Sequence, residues 1–474
     1  MEQPKEVTII IDGNEVKAQE GKSILEVARQ LGIYIPTLCY LSVVSPFGVC
    51  RLCSVEVTNK HGKKRIVTSC NYPIEAGVVV ETKSENVLNV RKGILELLMA
   101  RCPKTVKLKN LGQACGIKEH GLWVSNEDED CILCGLCIRV CKELVGVSAI
   151  NFAKRSVERE VTAPYHRFSD DCIGCGACAL VCPTGSKRIR IHTYAVVPPL
   201  KGPSDENLGV HSDIFSAKTS NAGQDSFVKA LLVAGFKNAL FDTAVFVQRK
   251  NSYTAEAVIA ENTDDIMKAK EASFLRVKTM SKLLEAIEKG KRKMAFVGLP
   301  CQIRAVRKMQ QALQQEIPDL DITSIGLFCR HSFNPKKLKE ETKQLLGVDL
   351  DQAEKTQIRD EKFIVQVNSE ESSCNVQQLD NAIENGCVYC NDFPAMFADI
   401  AVGSVGSDNG YSTSVIVRTE KGRTLLEKVE FTKSNVKTDK IIALSQFKKT
   451  RAKEHIAPIL KEIQAQRAME KKVG

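Results

Sequence analysis

The residues that could do chemistry here are cysteines, nineteen of them in a 474-residue sequence, and most fall into short, recurring spacings. Residues 131–141 read C-I-L-C-G-L-C-I-R-V-C, and residues 172–182 read C-I-G-C-G-A-C-A-L-V-C. Both are C-x2-C-x2-C-x3-C, an internal repeat offset by 41 residues, and Pro183 follows the second. Thiolates at this spacing suit [4Fe–4S] clusters. The small residues Gly135, Gly174, Gly176 and Ala177 let backbone amides approach the sulfurs and donate hydrogen bonds that tune the potential. Two zinc sites are the competing reading. Lys142 stands where a proline usually follows such a run.

Two further sets are less local. Cys39, Cys50, Cys53 and Cys70 give C-x10-C-x2-C-x16-C. Four thiolates, two per iron, are what a [2Fe–2S] cluster needs, although a structural zinc site also uses a close cysteine pair. Pro36, Pro46 and Gly48 suit a loop wrapped around an inorganic core. Further on, Cys301 follows Gly298-Leu299-Pro300, Cys329 follows Gly326-Leu327-Phe328, and Cys387-Val388-Tyr389-Cys390 supplies a close pair. These four could converge on one cubane; spacing alone leaves that reading and unrelated structural thiols equally open. Cys102, Cys115 and Cys374 have no close companions and read as ordinary thiols.

The elements that must hold these cysteines are partly legible. Val7 to Ile11 followed by Asp12-Gly13 predicts a hairpin with a second strand through Val16. Ser23-Ile24-Leu25-Glu26 reads as a capping box opening a helix, with Ile24, Leu25, Ala28 and Leu31 on its inner face and Gly32 ending it. Strand, turn, strand, helix is how a β-grasp begins. A helix is expected from Val87 to Arg101. Beyond the breaker-rich Pro198, Pro199, Gly202 and Pro203, strands at Ala244–Val247, Met294–Val297 and Ile322–Phe328 alternate with helices at Phe227–Phe236 and Lys282–Lys289, which predicts an α/β domain. No G-x-G-x-x-G follows a strand, so a Rossmann dinucleotide site is not expected.

Composition narrows the classes. The excess of 67 basic over 57 acidic residues is modest for this length and lacks an aromatic-interleaved stripe, so no nucleic acid is expected. No run is long and apolar enough for a membrane span, and the first residues lack a secretory signal. Reduced thiols then predict a cytoplasmic protein.

Three resemblances sharpen this. The N-terminal cysteine spacing and β-grasp start resemble the [2Fe–2S] domain of the complex I large iron–sulfur subunit and of iron-only hydrogenases. The tandem runs resemble a two-cluster ferredoxin, which implies Cys131, Cys134, Cys137 and Cys182 on one cluster and Cys172, Cys175, Cys178 and Cys141 on the other. Gly298 to Arg304, Leu327 to Cys329 and Cys387 to Gly406 resemble the deazaflavin (coenzyme F-420) hydrogenase and dehydrogenase beta subunits. That resemblance implies a third [4Fe–4S] cluster on Cys301, Cys329, Cys387 and Cys390 beside a bound FAD. Asn221, Gly223, Gln224, Asp225 and Ser226, ahead of the helix at Phe227, could offer free amides to its pyrophosphate, a plain N-capped helix being the alternative. Gly403 to Thr413 could face the flavin or form an ordinary hairpin.

The expected fold is thus multidomain, α+β and α/β. A β-grasp [2Fe–2S] domain spans 1–85, a degenerate cluster segment or linker 86–122, and a 2[4Fe–4S] ferredoxin domain 123–195. A linker covers 196–209 and an α/β FAD and [4Fe–4S] domain 210–446; a basic, amphipathic tail interrupted at Pro458, read as a solvated or partner-docking helix, covers 447–474. The function implied is an electron-transfer oxidoreductase subunit. It would link a soluble hydride carrier, a deazaflavin by resemblance, to other redox subunits of a hydrogenase, formate dehydrogenase or heterodisulfide reductase type of complex. An NAD(P)H- or ferredoxin-linked variant and a flavin-free adaptor are the alternatives.

Overall fold

The apolar run near the N-terminus forms strand Glu6–Ile11, which turns at Asp12-Gly13 into its antiparallel partner Asn14–Gln19. Asp12 and Gly13 both hold positive φ, 47° and 80°, as a two-residue type I′ turn requires. This computed structural model describes residues 5–164, 169, 171–172, 175–186, 200–219, 227–269, 277–314, 316–359, 361–407 and 412–473. The chain is a mixed α/β molecule of several domains.

The hairpin belongs to a five-stranded sheet in the order Asn14–Gln19, Glu6–Ile11, Val79–Glu81, Ser54–Thr58, Lys64–Thr68. Only the pair Glu6–Ile11 and Val79–Glu81 is parallel. Helix Ile24–Gln30 shares the sheet's hydrophobic core, its start fixed by reciprocal bonds between Ser23 and Glu26. Ile24, Leu25 and Ala28 are buried, but Leu31 is not. The helix ends at Gln30, so Leu31 leaves the helical face as its C-cap and stands 43% exposed, while Val27 turns inward.

Residues 86–122 are more than a linker. Helices Glu85–Arg101 and Val106–Ala114 pack together, and Leu95, Met99, Cys102 and Leu108 share one core with Leu38, Cys39, Cys50 and Cys134. Cys102 is buried at the end of the first helix and Cys115 exposed at the end of the second.

Each repeat run ends in a short helix entered through a left-handed glycine. Gly135 (φ 65°) precedes Leu136–Arg139, and Gly176 (φ 82°) precedes Ala177–Leu180. A side chain would be strained there, and the equivalent place in both runs is glycine. The first helix continues into a π turn, Val140–Leu144, that carries Cys141.

The C-terminal half is built on an eight-stranded sheet, ordered Ala255–Ala260, Thr243–Arg249, Lys293–Gly298, Asp321–Leu327, Ile400–Gly403, Thr413–Val417, Asp213–Thr219, Phe431–Ser434. The strands from Thr243–Arg249 to Ile400–Gly403 are parallel, and the remaining pairings are antiparallel. Two cores include its residues. Phe227–Lys237 and Glu420–Leu426 contribute to one, and Met280–Glu288 and Pro300–Leu313 to the other. A three-stranded antiparallel sheet, Lys355–Arg359, Lys362–Val367 and Glu370–Asn375, has its own small core, which contains Cys374.

The end of the chain departs from the expected tail. A single helix, Thr438–Val473, begins ahead of residue 447 and passes through Pro458 without ending. Proline costs the helix one backbone bond. Packing on either side offsets that loss: Ala452 and Ile459 are buried, and Ile459 joins the core around Cys39 and Cys134. The helix therefore docks on its own chain, from the C-terminal domain back to the N-terminal one. No helix among the described residues is long and apolar enough to cross a membrane.

Candidate metal centres and the path between them

Cys50 and Cys53 lie just ahead of strand Ser54–Thr58, and Cys70 just beyond Lys64–Thr68. Cys39 comes from the loop after the first helix, and all four are buried. Their thiols pair: hydrogen bonds between Cys39 and Cys50, and between Cys70 and Cys53, hold Cys39 and Cys70 up and Cys50 and Cys53 down. Cys39 and Cys50 also act electrostatically on Cys70, so the four form one set.

In the repeat, Cys182 acts on Cys131, Cys134 and Cys137. Cys141 instead lines a small cavity with Cys172, Cys175 and Cys178. The fourth cysteine of each run thus stands with the other run. Burial pushes the Cys134 thiol up to about 12 and Cys175 up to about 11. Such thiols stay protonated at neutral pH until a cation displaces the proton.

The fourth set stands at the carboxyl ends of two adjacent parallel strands, a usual place for ligands in α/β sheets. Cys301 occupies the first turn of helix Pro300–Leu313, directly after Lys293–Gly298. Cys329 lies two residues beyond Asp321–Leu327. Cys387 lies in the tight turn Asn385–Tyr389, and Cys390 directly follows it. Cys301, Cys387 and Cys390 all act on the half-buried Cys329, whose thiol desolvation pushes up.

The sulfurs have the partners that cluster thiolates take. The amides of Ala149, Ser186 and Ser332 donate to the sulfurs of Cys141, Cys182 and Cys387 at 3.2, 3.4 and 3.3 Å. Leu133, Leu136 and Ala177 amides do the same for Cys131, Cys134 and Cys175. Amide donors stabilise thiolate sulfur and fit an iron–sulfur site. Gly174 lies outside the described residues. Its counterpart in the first run, Leu133, takes a φ of 55°. Among the described residues no three His, Cys, Asp or Glu side chains meet at one ion-sized point. Each set is defined by mutual electrostatic reach.

The sets are also joined to one another. Cys50 acts on Cys134 and Cys134 acts on Cys39, linking the first set to the second. Cys178 acts on Cys137, linking the second to the third. Cys175 acts on Tyr389, inside the turn that carries Cys387 and Cys390, and Lys308 of the Cys301 helix feels Cys172, Cys175 and Cys178. The order along this path is Cys39 set, Cys131 set, Cys172 set, Cys301 set.

Cations that sequence reading missed hold the cysteine backbones. Arg139 donates to the Cys39 carbonyl at 2.6 Å, Arg101 to Cys131 at 2.9 Å and Arg451 to Cys387 at 2.9 Å. Lys448 donates to the Cys329 and Asp392 carbonyls, both at 2.8 Å, and to the Cys390 sulfur at 3.3 Å. Burial works against its ammonium, but the charges of Cys390, Cys329 and Cys387 outweigh that and hold its pKa up. No local spacing signals these residues, since each acts on cysteines far away in sequence.

The residues expected at the flavin pyrophosphate, Asn221, Gly223, Gln224, Asp225 and Ser226, lie outside the described residues; helix Phe227–Lys237 begins just after them. Between Gly403 and Thr413, residues 408–411 lie outside them too, and the flanking strands Ile400–Gly403 and Thr413–Val417 pair antiparallel.

Comparison with known proteins finds matches for three stretches of the chain. Residues 4–85 match the 2Fe-2S iron-sulfur cluster binding domain, and 130–186 match the 4Fe-4S dicluster domain. Residues 291–441 match the family described as the C terminus of the coenzyme F420 hydrogenase/dehydrogenase beta subunit. The chain carries all three domains.

Its relatives share one part or another. A coenzyme F420-dependent sulfite reductase of Methanocaldococcus jannaschii is 34% identical over 51% of this chain and 40% of its own length. The NADPH-Fe(3+) oxidoreductase subunit alpha of Geobacter sulfurreducens is 34% identical over 31% of this chain and 20% of its own. One of the subunits of the F(420)H(2) dehydrogenase of Methanosarcina mazei is 30% identical over 48% of this chain and 64% of its own. The chain therefore spans less than two thirds of each. Among solved structures, a chain of the F420-reducing [NiFe] hydrogenase complex from Methanosarcina barkeri aligns with a TM-score of 0.50 and 25% identity. The alignment covers 54% of this chain and 94% of that one.

Proposed function

We propose that this chain is an iron–sulfur flavoprotein subunit that passes single electrons along a row of four clusters, to or from a partner enzyme. The observation that carries the reading is the packing of the four-cysteine sets side by side: Cys39 and Cys50 share a core with Cys134, Cys131 and Cys137 share another with Cys172 and Cys178, and Tyr389 and Lys308 lie between that run and the Cys301 set. The Cys39, Cys50, Cys53 and Cys70 set, in a β-grasp domain, would hold a [2Fe–2S] cluster. The two ferredoxin-like sets and the Cys301, Cys329, Cys387 and Cys390 set would each hold a [4Fe–4S] cluster. When bound, the clusters supply one-electron carriers, and an FAD at Asn221 and Gly223–Ser226 supplies exchange between a hydride and single electrons.

The chain's own residues bury the sulfurs, donate amides to them and fix neighbouring sets through Arg101, Arg139 and Arg451. The relatives' names support a redox complex as the setting, with a deazaflavin as the expected soluble carrier and the cytoplasm as the expected compartment. The NADPH-linked relative makes a nicotinamide the second carrier to test.

The test is an iron, sulfide and flavin count on anaerobically purified full-length chain, followed by bleaching with reduced deazaflavin and with NADPH. About fourteen irons and one FAD per chain are expected from one [2Fe–2S] and three [4Fe–4S] clusters. Mainly zinc, or half that iron after full reconstitution, would overturn the cluster reading. Full iron without flavin, and no bleaching by either donor, would leave a flavin-free adaptor between two enzymes.

A further inference from the structure

Lys448 stands apart from the other basic residues of the terminal helix whose side chains are described, because only 1% of its surface is exposed. Its three donors are all used, on the Cys329 carbonyl, the Asp392 carbonyl and the Cys390 sulfur. Among the described residues, no carboxylate lies within ion-pair distance of this ammonium. The Asp392 carboxylate accepts from the Met396 amide at 3.1 Å and faces Arg304 at 4.0 Å. Arg451 adds a second cation, donating to the carbonyls of Cys387 and Arg330 at 2.9 and 3.3 Å. Burying an ammonium is costly unless a negative group offsets it. Here the cysteine sulfurs do most of this, and the more distant Asp392 carboxylate adds less. Four thiolates around an iron–sulfur core carry net negative charge, which is what this cationic wall lacks.

We propose that Lys448 sets the reduction potential of the cluster on Cys301, Cys329, Cys387 and Cys390, holding it more positive than a site without the charge. The inference rests on the cluster reading above. Reduction adds one electron and therefore one negative charge; no bond is made or broken and no proton is required. A fixed cation 3.3 Å from a ligand sulfur, in a low-dielectric setting, favours the reduced form over the oxidised one. Lys448 is a positioning residue in this scheme. It tunes the electron carrier electrostatically and reacts with nothing.

The experiment is a redox titration of the full-length chain followed by paramagnetic resonance. The signal of this cluster is identified as the one lost or altered in Cys301→Ser. Lys448→Gln keeps a hydrogen-bond donor and removes the charge, whereas Lys448→Arg keeps the charge. With full iron content, Lys448→Gln is expected to lower the ratio of reduced to oxidised cluster about tenfold at fixed poise, a shift of about 59 mV for one electron. Lys448→Arg is expected to stay within about threefold of wild type. An unchanged midpoint in an iron-replete Lys448→Gln overturns the proposal and leaves the cluster reading standing. If Lys448→Gln loses this cluster, arginine decides: a restored signal at the wild-type midpoint supports the charge, and a shifted midpoint or continued loss marks the lysine as a structural strut. If Cys301→Ser neither removes nor alters any signal, the cluster reading itself has failed.

Discussion

Glu462, on the terminal helix, forms an ion pair with Arg29 at 3.2 Å, closing a separation of 433 residues. The same carboxylate accepts from the Ser42 amide at 3.0 Å and from its hydroxyl at 2.6 Å. A helix that passes Lys448 by the fourth cysteine set is thereby anchored three residues from Cys39. Half-buried pairs of this kind are worth about 1 kcal/mol. Glu462→Ala is therefore expected to speed hydrogen exchange in the helix beyond Pro458 by about fivefold. The exposed Glu454→Ala on the same helix should change nothing. Equal exchange in the two variants would show that the pair does not hold the helix down.

The crossing of the fourth cysteines makes a sharper prediction. Cys182 acts on Cys131, Cys134 and Cys137, although it belongs to the other run. Cys182→Ser is thus expected to alter the paramagnetic signal that Cys134→Ser also alters, and to spare the signal altered by Cys175→Ser. The reverse pattern would return Cys182 to its own run and contradict the geometry.

What could be read ahead of the structure was whatever is local in sequence. The two runs, the capping box at Ser23 and Glu26, and the strand before Cys301 each declare themselves within a few residues. Leu31 failed because periodicity does not say where a helix ends. The terminal helix was expected as a helix, and its docking on this chain was missed for a different reason. Its residues look basic and solvated, and nothing nearby shows that Lys448 meets Cys390 across 58 positions or Glu462 meets Ser42 across 420. Contacts of that range depend on how the domains pack, and no spacing rule encodes them.

Arg418 is expected to be one of the costliest side chains to remove. It is 3% exposed and donates to the carbonyls of Leu208, Val210 and Pro394 at 2.6, 2.7 and 2.8 Å. The bond to Leu208 ties the end of the expected linker, 196–209, to the residue that follows strand Thr413–Val417 of the eight-stranded sheet. Burial lowers its pKa to about 10, so it is still a cation at neutral pH. Arg418→Ala leaves buried carbonyls without donors, each worth about 1–3 kcal/mol. A loss of at least about 3 kcal/mol in urea unfolding is expected. A variant within about 0.5 kcal/mol of wild type would mean that water replaces the guanidinium there.

Asp399 gives the pH prediction. It is buried, pairs with Arg307 at 2.8 Å, and accepts from the Ser324 amide and hydroxyl at 2.8 and 2.9 Å and from Thr419 at 2.7 Å. Burial alone would raise its pKa, but Arg307 and these donors outweigh it, so the folded value lies below the ordinary one. A depressed carboxylate contributes stability that is complete above the unfolded pKa, about 3.9, and is lost as pH falls through the folded value. Asp399→Asn strands Arg307 and should cost about 3–5 kcal/mol at pH 7. The gap between wild type and variant should be the same at pH 5, because Asp399 is ionised in both folded and unfolded wild type there. Only below about pH 4 should it narrow, as the wild-type carboxylate takes up the proton that the amide mimics. Urea midpoints for the two proteins at pH 7, 5 and 3.5 test this. A gap already shrinking between pH 7 and 5 would mean that Asp399 is held up, and that burial outweighs Arg307.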